Sequence, residues 1–364
     1  MLLNILVKLA VLVASASAAP QRNKNGANAN ANVNLNQIRG NGQGIQAAQQ
    51  LAGPGVTIVE KIVQPTAGDP TFLQFRVAMP QTITPDMGLN VLLHGDGGQS
   101  FFAMPNAKLD SNLIGVTVLA PNAPMKWGGL GNNRPDGPQH ATLVKDLVTS
   151  VLPQMIPGFN QSRVYFTGVS GGSLTLTSAM IPLYGNMFQS GWLIMCGGLP
   201  SPNGIPASAI GPNTRIHVQT TTNELTFLQQ TIPTAITDLN QAIAQVPGVT
   251  PQQAATQFTF DGTPNGGHCA FDGQGFSSGI QAMVSQFTAV MLNGQPAQGI
   301  TAATLTPLAQ AKPFAAVAGA AQNGGATAQN GAANGGNANN RKGKNNGGNN
   351  FVAALQQVSN GQQR

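Results

Sequence analysis

Charge is scarce in this chain. Of 364 residues only 8% are Asp, Glu, Lys or Arg, against roughly 25% in an average soluble domain. Aromatic residues make up 5% and cysteines number two, which excludes a miniature scaffold held by many disulfides. Glutamate occurs twice, at Glu60 and Glu224. Beyond the first nineteen residues no run approaches 18 consecutive apolar positions, so the sequence offers no transmembrane helix. What is present is 41% hydrophobic content, enough for a packed core, and wholesale disorder is excluded. The length suits two average domains or one large α/β domain with extensions.

The formal charge of +6 invites a nucleic-acid reading, and the placement of the charges answers it. All 11 acidic residues, Glu60 to Asp272, lie between Gly55 and Ile300 with only 8 basic ones, a net of −3. The other nine Lys and Arg are Lys8, Arg22, Lys24, Arg39 and five from Lys312 onward. Basicity is therefore a property of the ends, not of a folded face. No aromatic residue interleaves the cluster Arg341-Lys342-Gly343-Lys344, so base stacking is unsupported. Contact with an anionic surface or cell wall through the tails stays as an expectation, with steep salt dependence as its mark.

Residues 1–19 read as a secretory signal: Lys8 precedes the apolar run Leu9 to Ala14, and Ala16-Ser17-Ala18 supplies a small-x-small cleavage pattern. A secreted, extracellular protein is expected. Asn160-Gln161-Ser162 is a glycosylation sequon such a compartment permits. Residues 20–54 and 301–364 are rich in Asn, Gly, Ala and Gln and poor in large apolar residues. Both are expected to be disordered tails, with a short transient helix at Phe351 to Val358. Residues 55–300 are left as one folded domain.

Within it, strand patterns fall at Val56–Val63, Thr71–Ala78, Leu89–Leu93, Gly115–Leu119, Arg163–Thr167, Gly191–Met195, Arg215–Thr220 and Gln257–Phe260. Helical patterns fall at Ala141–Met155, Gly171–Ile181, Leu225–Ala244 and Gly275–Leu292. The last six strands are short, apolar and separated by crossover-length connections. That predicts an α/β fold with a mostly parallel central sheet covered by helices on both faces. The first two strands suit an antiparallel meander at one edge.

The segment Gly168-Val169-Ser170-Gly171-Gly172 follows a strand pattern and opens a helical one, the setting of a G-x-S-x-G nucleophile elbow. Glycine-sized neighbours let strand and helix pass closely, and Ser170 is presented at a helix N-terminus, where the dipole favours negative charge. The plain alternative is a glycine-rich turn with an N-cap serine. A serine nucleophile needs a base and an acid to orient it. Of the histidines after Ser170, His217 lies in a strand pattern and suits the core, while His268 lies in a glycine-rich loop after the last strand. His268 is the candidate base. Glu224, Asp238 and Asp261 lie between them. Glu224 is preferred as the acid, Asp261 is the rival, and Asp238 reads as a solvated helix face.

Oxyanion stabilisation needs backbone N–H groups aimed at the developing charge. Gly171 supplies one, and Asp96 or Gly97 in the loop His94-Gly95-Asp96-Gly97-Gly98 supplies the second. Met125 and Trp127 follow the fourth strand and suit either an acyl pocket or the core. Cys196 ends a strand pattern and Cys269 adjoins His268, so a disulfide tying the histidine loop to the scaffold is expected, two buried thiols being the alternative. Neither metal-ligand spacing nor a cofactor motif is found.

Together, RVYFTGVSGGS, the HGDGG loop, the APNAP…KWGG segment at Ala120–Gly129 and the NGGH loop resemble the α/β-hydrolase superfamily. Within it they are similar to secreted polyhydroxybutyrate depolymerases, feruloyl esterases and acetylxylan esterases. The resemblance covers roughly Leu89 to Leu292. It implies an α/β-hydrolase fold and a carboxylester hydrolase using Ser170, Glu224 and His268, with a small-molecule or polymeric ester as substrate; a monomer is expected. The chain departs from these relatives in having a glutamate where they mostly have aspartate, and Ser173 where glycine or alanine is commoner. A serine peptidase of the same fold and a non-catalytic surface-binding protein are the rival expectations.

Overall fold

The computed structural model describes residues 43–109, 112–300 and 305–314. The expected signal segment, the Asn-rich stretch before residue 43, the basic cluster at 341–344 and the expected helix at 351–358 lie outside them.

Runs rich in Val, Ile, Leu and Phe form β1 (Val56–Val63), β2 (Leu73–Pro80), β3 (Gly88–Leu93), β4 (Leu113–Leu119), β5 (Val164–Val169), β6 (Gly191–Met195), β7 (Arg215–Gln219) and β8 (Phe258–Asp261). A two-residue strand, β9 (Thr306–Pro307), completes a nine-stranded sheet ordered β1-β2-β4-β3-β5-β6-β7-β8-β9. From β4 through β3 and β5 to β8 the pairing is parallel. β1–β2, β2–β4 and β8–β9 pair antiparallel. The parallel centre and the edge meander agree with the sequence pattern.

The connections carry α1 (Gln43–Ala52), α2 (Gln99–Ala103), α3 (Gly137–Asp146), α4 (Leu152–Met155), α5 (Gly171–Thr175), α6 (Ile181–Tyr184), α7 (Thr226–Ile243), α8 (Pro251–Gln257) and α9 (Phe276–Ser285). Wide π-helical turns at Leu147–Val151 and Leu176–Met180 join α3 to α4 and α5 to α6. Alternate strand residues point to opposite faces. Trp192 and Ile194 thus enter the core under α3 and α7, whereas Leu193 and Met195 pack with Ile280, Met283 and Val284 of α9. Both faces are covered, as near-continuous apolar strands require. α7 earns its place by spacing: Leu228, Ile232, Ala235, Ile236, Leu239 and Ile243 recur every three or four residues and are buried.

The structure corrects both ends of the expected domain. Within the segment read as a disordered tail, α1 packs Ala48 and Ala52 against Ile58, Ala78, Met104 and Ala107. Gln49 finishes the contact: its Nε2 donates to Val56 O (2.6 Å), and its Oε1 accepts from Ile58 N–H (2.9 Å). Alanine lets the helix approach closely, and only Ile45 and Leu51, each half-buried, add larger apolar contact, so a composition count misses it. Beyond residue 300, Phe260 pairs with Thr306 and Thr259 with Pro307, and Leu308 is buried. The fold therefore extends past 55–300 on both sides.

Candidate active site

β5 delivers Ser170 at its carboxyl end with φ 48° and ψ −111°, a left-handed conformation rare outside glycine. The turn closes because its neighbours lack side chains. A Cβ at Gly168 would stand 2.7 Å from Ser173 Cα, and one at Gly172 would collide with Leu93 O. Ser173, the residue that departs from the resembling enzymes, fixes the elbow from the other side. Its buried hydroxyl donates to Met195 O (2.8 Å) and accepts from Met195 N–H (3.0 Å).

The loop after β8 brings His268 to the serine. His268 Nε2 lies 2.9 Å from Ser170 Oγ, and Nδ1 lies 2.5 Å from Glu224 Oε2. The Glu224 side chain is wholly buried just beyond β7, and its other oxygen accepts from the hydroxyls of Thr220 (3.3 Å) and Thr221 (3.4 Å). Asp261 points elsewhere. Its Oδ1 accepts from Thr263 N–H (2.9 Å) and hydroxyl (2.7 Å), and its Oδ2 from Gln219 (3.2 Å). Of the two rival acids, only Glu224 touches the imidazole. His217 is fully buried between Thr259 and Gln219, a core histidine as expected. Asp238 does not simply face solvent, because its carboxylate accepts from Ser201 N–H (3.0 Å).

Cys196 and Cys269 form a disulfide with Cα atoms 5.1 Å apart. It joins the end of β6 to the residue after His268. Together with His268 these sulfurs form a cluster of metal-ligand residue types, but the bond leaves neither sulfur as the thiolate a metal needs.

The HGDGG loop follows β3. Gly171 is the first residue of α5, so its N–H is one of those a helix leaves without an internal acceptor. Asp96 N lies 3.4 Å from where a Cβ on Gly171 would stand. The two N–H groups predicted to hold an oxyanion are thus neighbours beside Ser170. His94 orients the second. Its Nε2 accepts from Ala120 N–H (2.9 Å), so the proton resides on Nδ1, which donates to Gly95 O (2.6 Å). That carbonyl shares a trans peptide with Asp96 N–H, and the two point oppositely. Complete burial holds the His94 pKa down at about 4, so this neutral tautomer persists.

Two features, Phe276 and Arg134, escaped sequence reasoning. The Phe276 ring, first in α9, lies 5.8 Å from the His268 ring, and a Cβ on Gly95 would stand 3.1 Å from its Cζ. It walls one side of the site. Arg134 grips the Asp96 carboxylate, Nη1 to Oδ1 at 3.0 Å and Nη2 to Oδ2 at 2.7 Å. Trp127, expected in a pocket or the core, is fully buried between His94 and His140.

Among the described residues no helix is long and apolar enough to cross a membrane. No protein-family model and no curated protein matches the sequence. Solved structures do match. A thermostable esterase is 17% identical with a TM-score of 0.40, over 52% of this chain and 53% of that one, so this chain spans about half that enzyme's length. A thermostable esterase from Pseudomonas putida ECU1011 is 11% identical with a TM-score of 0.43, over 66% of this chain and 85% of that one. An acetyl xylan esterase from Aspergillus awamori is 16% identical with a TM-score of 0.39, over 58% and 94% respectively. At these identities and scores, likeness carries no functional inference; the side-chain geometry does.

Proposed function

We propose that this chain is a serine hydrolase that cleaves carboxylic esters through an acyl-serine intermediate. One observation carries the reading: Ser170, His268 and Glu224 form an unbroken hydrogen-bonded line, with the Gly171 and Asp96 N–H groups beside the serine. His268 takes the Ser170 proton as Oγ attacks the ester carbonyl. The two N–H groups receive the developing oxyanion, each such donor being worth roughly 10²- to 10³-fold in rate. His268 then gives its proton to the departing alkoxide, and the alcohol leaves. Water, deprotonated by the same imidazole, cleaves the acyl-serine to the acid. Glu224 holds Nδ1 and stabilises the imidazolium. The disulfide and the signal-like N-terminus support secretion, and the basic tails support contact with an anionic surface.

The test is labelling with a fluorophosphonate probe, followed by a panel of short-chain, aromatic and polymeric esters beside peptide substrates. Labelling and ester turnover that vanish in Ser170→Ala are expected. Absence of labelling in the folded wild type rejects the reading, and preference for peptides replaces it with a peptidase.

A further inference from the structure

We infer that Arg134 serves the reaction through Asp96, by cancelling a negative charge that stands beside the forming oxyanion. This rests on the ester-hydrolase reading above. Asp96 brings two opposed groups to the site. Its N–H is the second oxyanion donor, but its carboxylate lies so close to Gly171, the first donor, that a Cβ there would collide with Oδ1. A fixed anion at such range repels a second one forming nearby. An Asn at this position would offer the same N–H without that charge.

The surrounding chain answers the problem. The Arg134 guanidinium meets both carboxylate oxygens as a fork, the geometry that only Arg supplies. Its side chain is 9% exposed against 30% for Asp96, so the cation stands on the inner side of the pair. Lys126 adds a looser contact at 3.9 Å from a more exposed position. The connection that carries Arg134 is wound to place it: Gly128, Gly129, Gly131 and Arg134 have φ of 75°, 84°, 82° and 50°. Arg134 Nη1 also donates to the carbonyl of the buried Trp127 (3.1 Å), which anchors the fork to the core. An exposed ion pair adds little to stability, and a left-handed non-glycine residue costs on the order of 1 to 3 kcal/mol. Such a loop has reason to exist if the charge it brings is used.

Arg134 is then a positioning and neutralising residue, and a double-mutant cycle tests it. The kcat and KM for one neutral aryl ester, and the rate of fluorophosphonate labelling, are measured in wild type, Arg134→Met, Asp96→Asn and the double variant. Arg134→Met is expected to lower kcat and labelling by on the order of 10²-fold, as loss of an oxyanion donor does, with KM little moved and high salt restoring part of the rate. In the Asp96→Asn background the same replacement should cost less than about threefold, since no charge remains to cancel. Arg134→Gln, which keeps donors for Trp127 O, should reproduce the loss if Arg134→Met does not fold. Equal losses in both backgrounds would show a merely structural arginine and overturn the inference alone. No loss in Arg134→Met overturns it too. A wild type that neither turns over esters nor labels overturns this inference together with the hydrolase reading.

Discussion

Glu224 Oε2 stands 2.5 Å from His268 Nδ1, across a sequence separation of 44. Asp261 ends the neighbouring strand but spends its carboxylate on Thr263 and Gln219. The two acids therefore predict opposite phenotypes. Glu224→Gln leaves the shape and loses the charge that stabilises the imidazolium, and kcat should fall by about 10³- to 10⁴-fold. Asp261→Asn should stay within about threefold of wild type, since it touches no reacting group. Steady-state kinetics on an ester, with melting curves to verify folding, separate the two.

The Cys196–Cys269 bond closes a 73-residue separation. Loop-closure entropy alone assigns such a bond about 4 kcal/mol. The Cys196→Ala/Cys269→Ala variant should unfold at a lower denaturant midpoint and also lose activity while still folded, because the residue after His268 loses its anchor. Full activity in a folded double variant would show that the histidine needs no tether.

His94, His140 and His217 are buried, and burial holds each pKa down at about 4. An unfolded histidine titrates near 6.5. Between these values the unfolded chain binds more protons than the folded one, so stability is fully present above pH 6.5 and is lost as pH falls towards 4. The slope reaches at most about 1.4 kcal/mol per pH unit for each histidine. Urea denaturation at several pH values should show the midpoint dropping through this window. A flat profile would mean that these imidazoles titrate normally.

Gln49 holds α1 to β1 by donating to Val56 O and accepting from Ile58 N–H. Gln49→Ala leaves that N–H unanswered in a half-buried setting and should cost about 1 to 2 kcal/mol. Thermal melts of the variant and of a chain beginning at residue 55 should both fall below the full-length protein. Unchanged melting in both would return residues 43–52 to the status of a tail.

The elbow was legible because its glycines fall within one short motif. Gly168 answers a clash with Ser173 inside the turn and Gly172 one with Leu93 O on the adjoining β3, and spacing reports both. His268 followed from its place after the last strand. Glu224 against Asp261 was narrowed but not decided, since the choice depends on where two loops turn after neighbouring strands. Arg134 was invisible. It meets Asp96 from 38 residues away, through a loop whose path depends on departures into left-handed backbone at Gly128, Gly129, Gly131 and Arg134 rather than on a residue pattern. The helix α1 was hidden for another reason: its buried positions are the alanines Ala48 and Ala52, helped by half-buried Ile45 and Leu51, and in so Gln-rich a sequence apolar counting scores it as linker.

The two-residue strand β9 has a bearing on how the protein must be handled. It lies along β8, the last long strand, and presents Pro307, which has no N–H for a further partner. A short, proline-bearing rim of this kind keeps one molecule's sheet from adding to another's. Trimming the chain at residue 300 would strip that guard and leave Thr259 and Phe260 with open backbone groups. The shortened protein would then tend to associate edge to edge and precipitate, although the Ser170–His268–Glu224 line would be untouched.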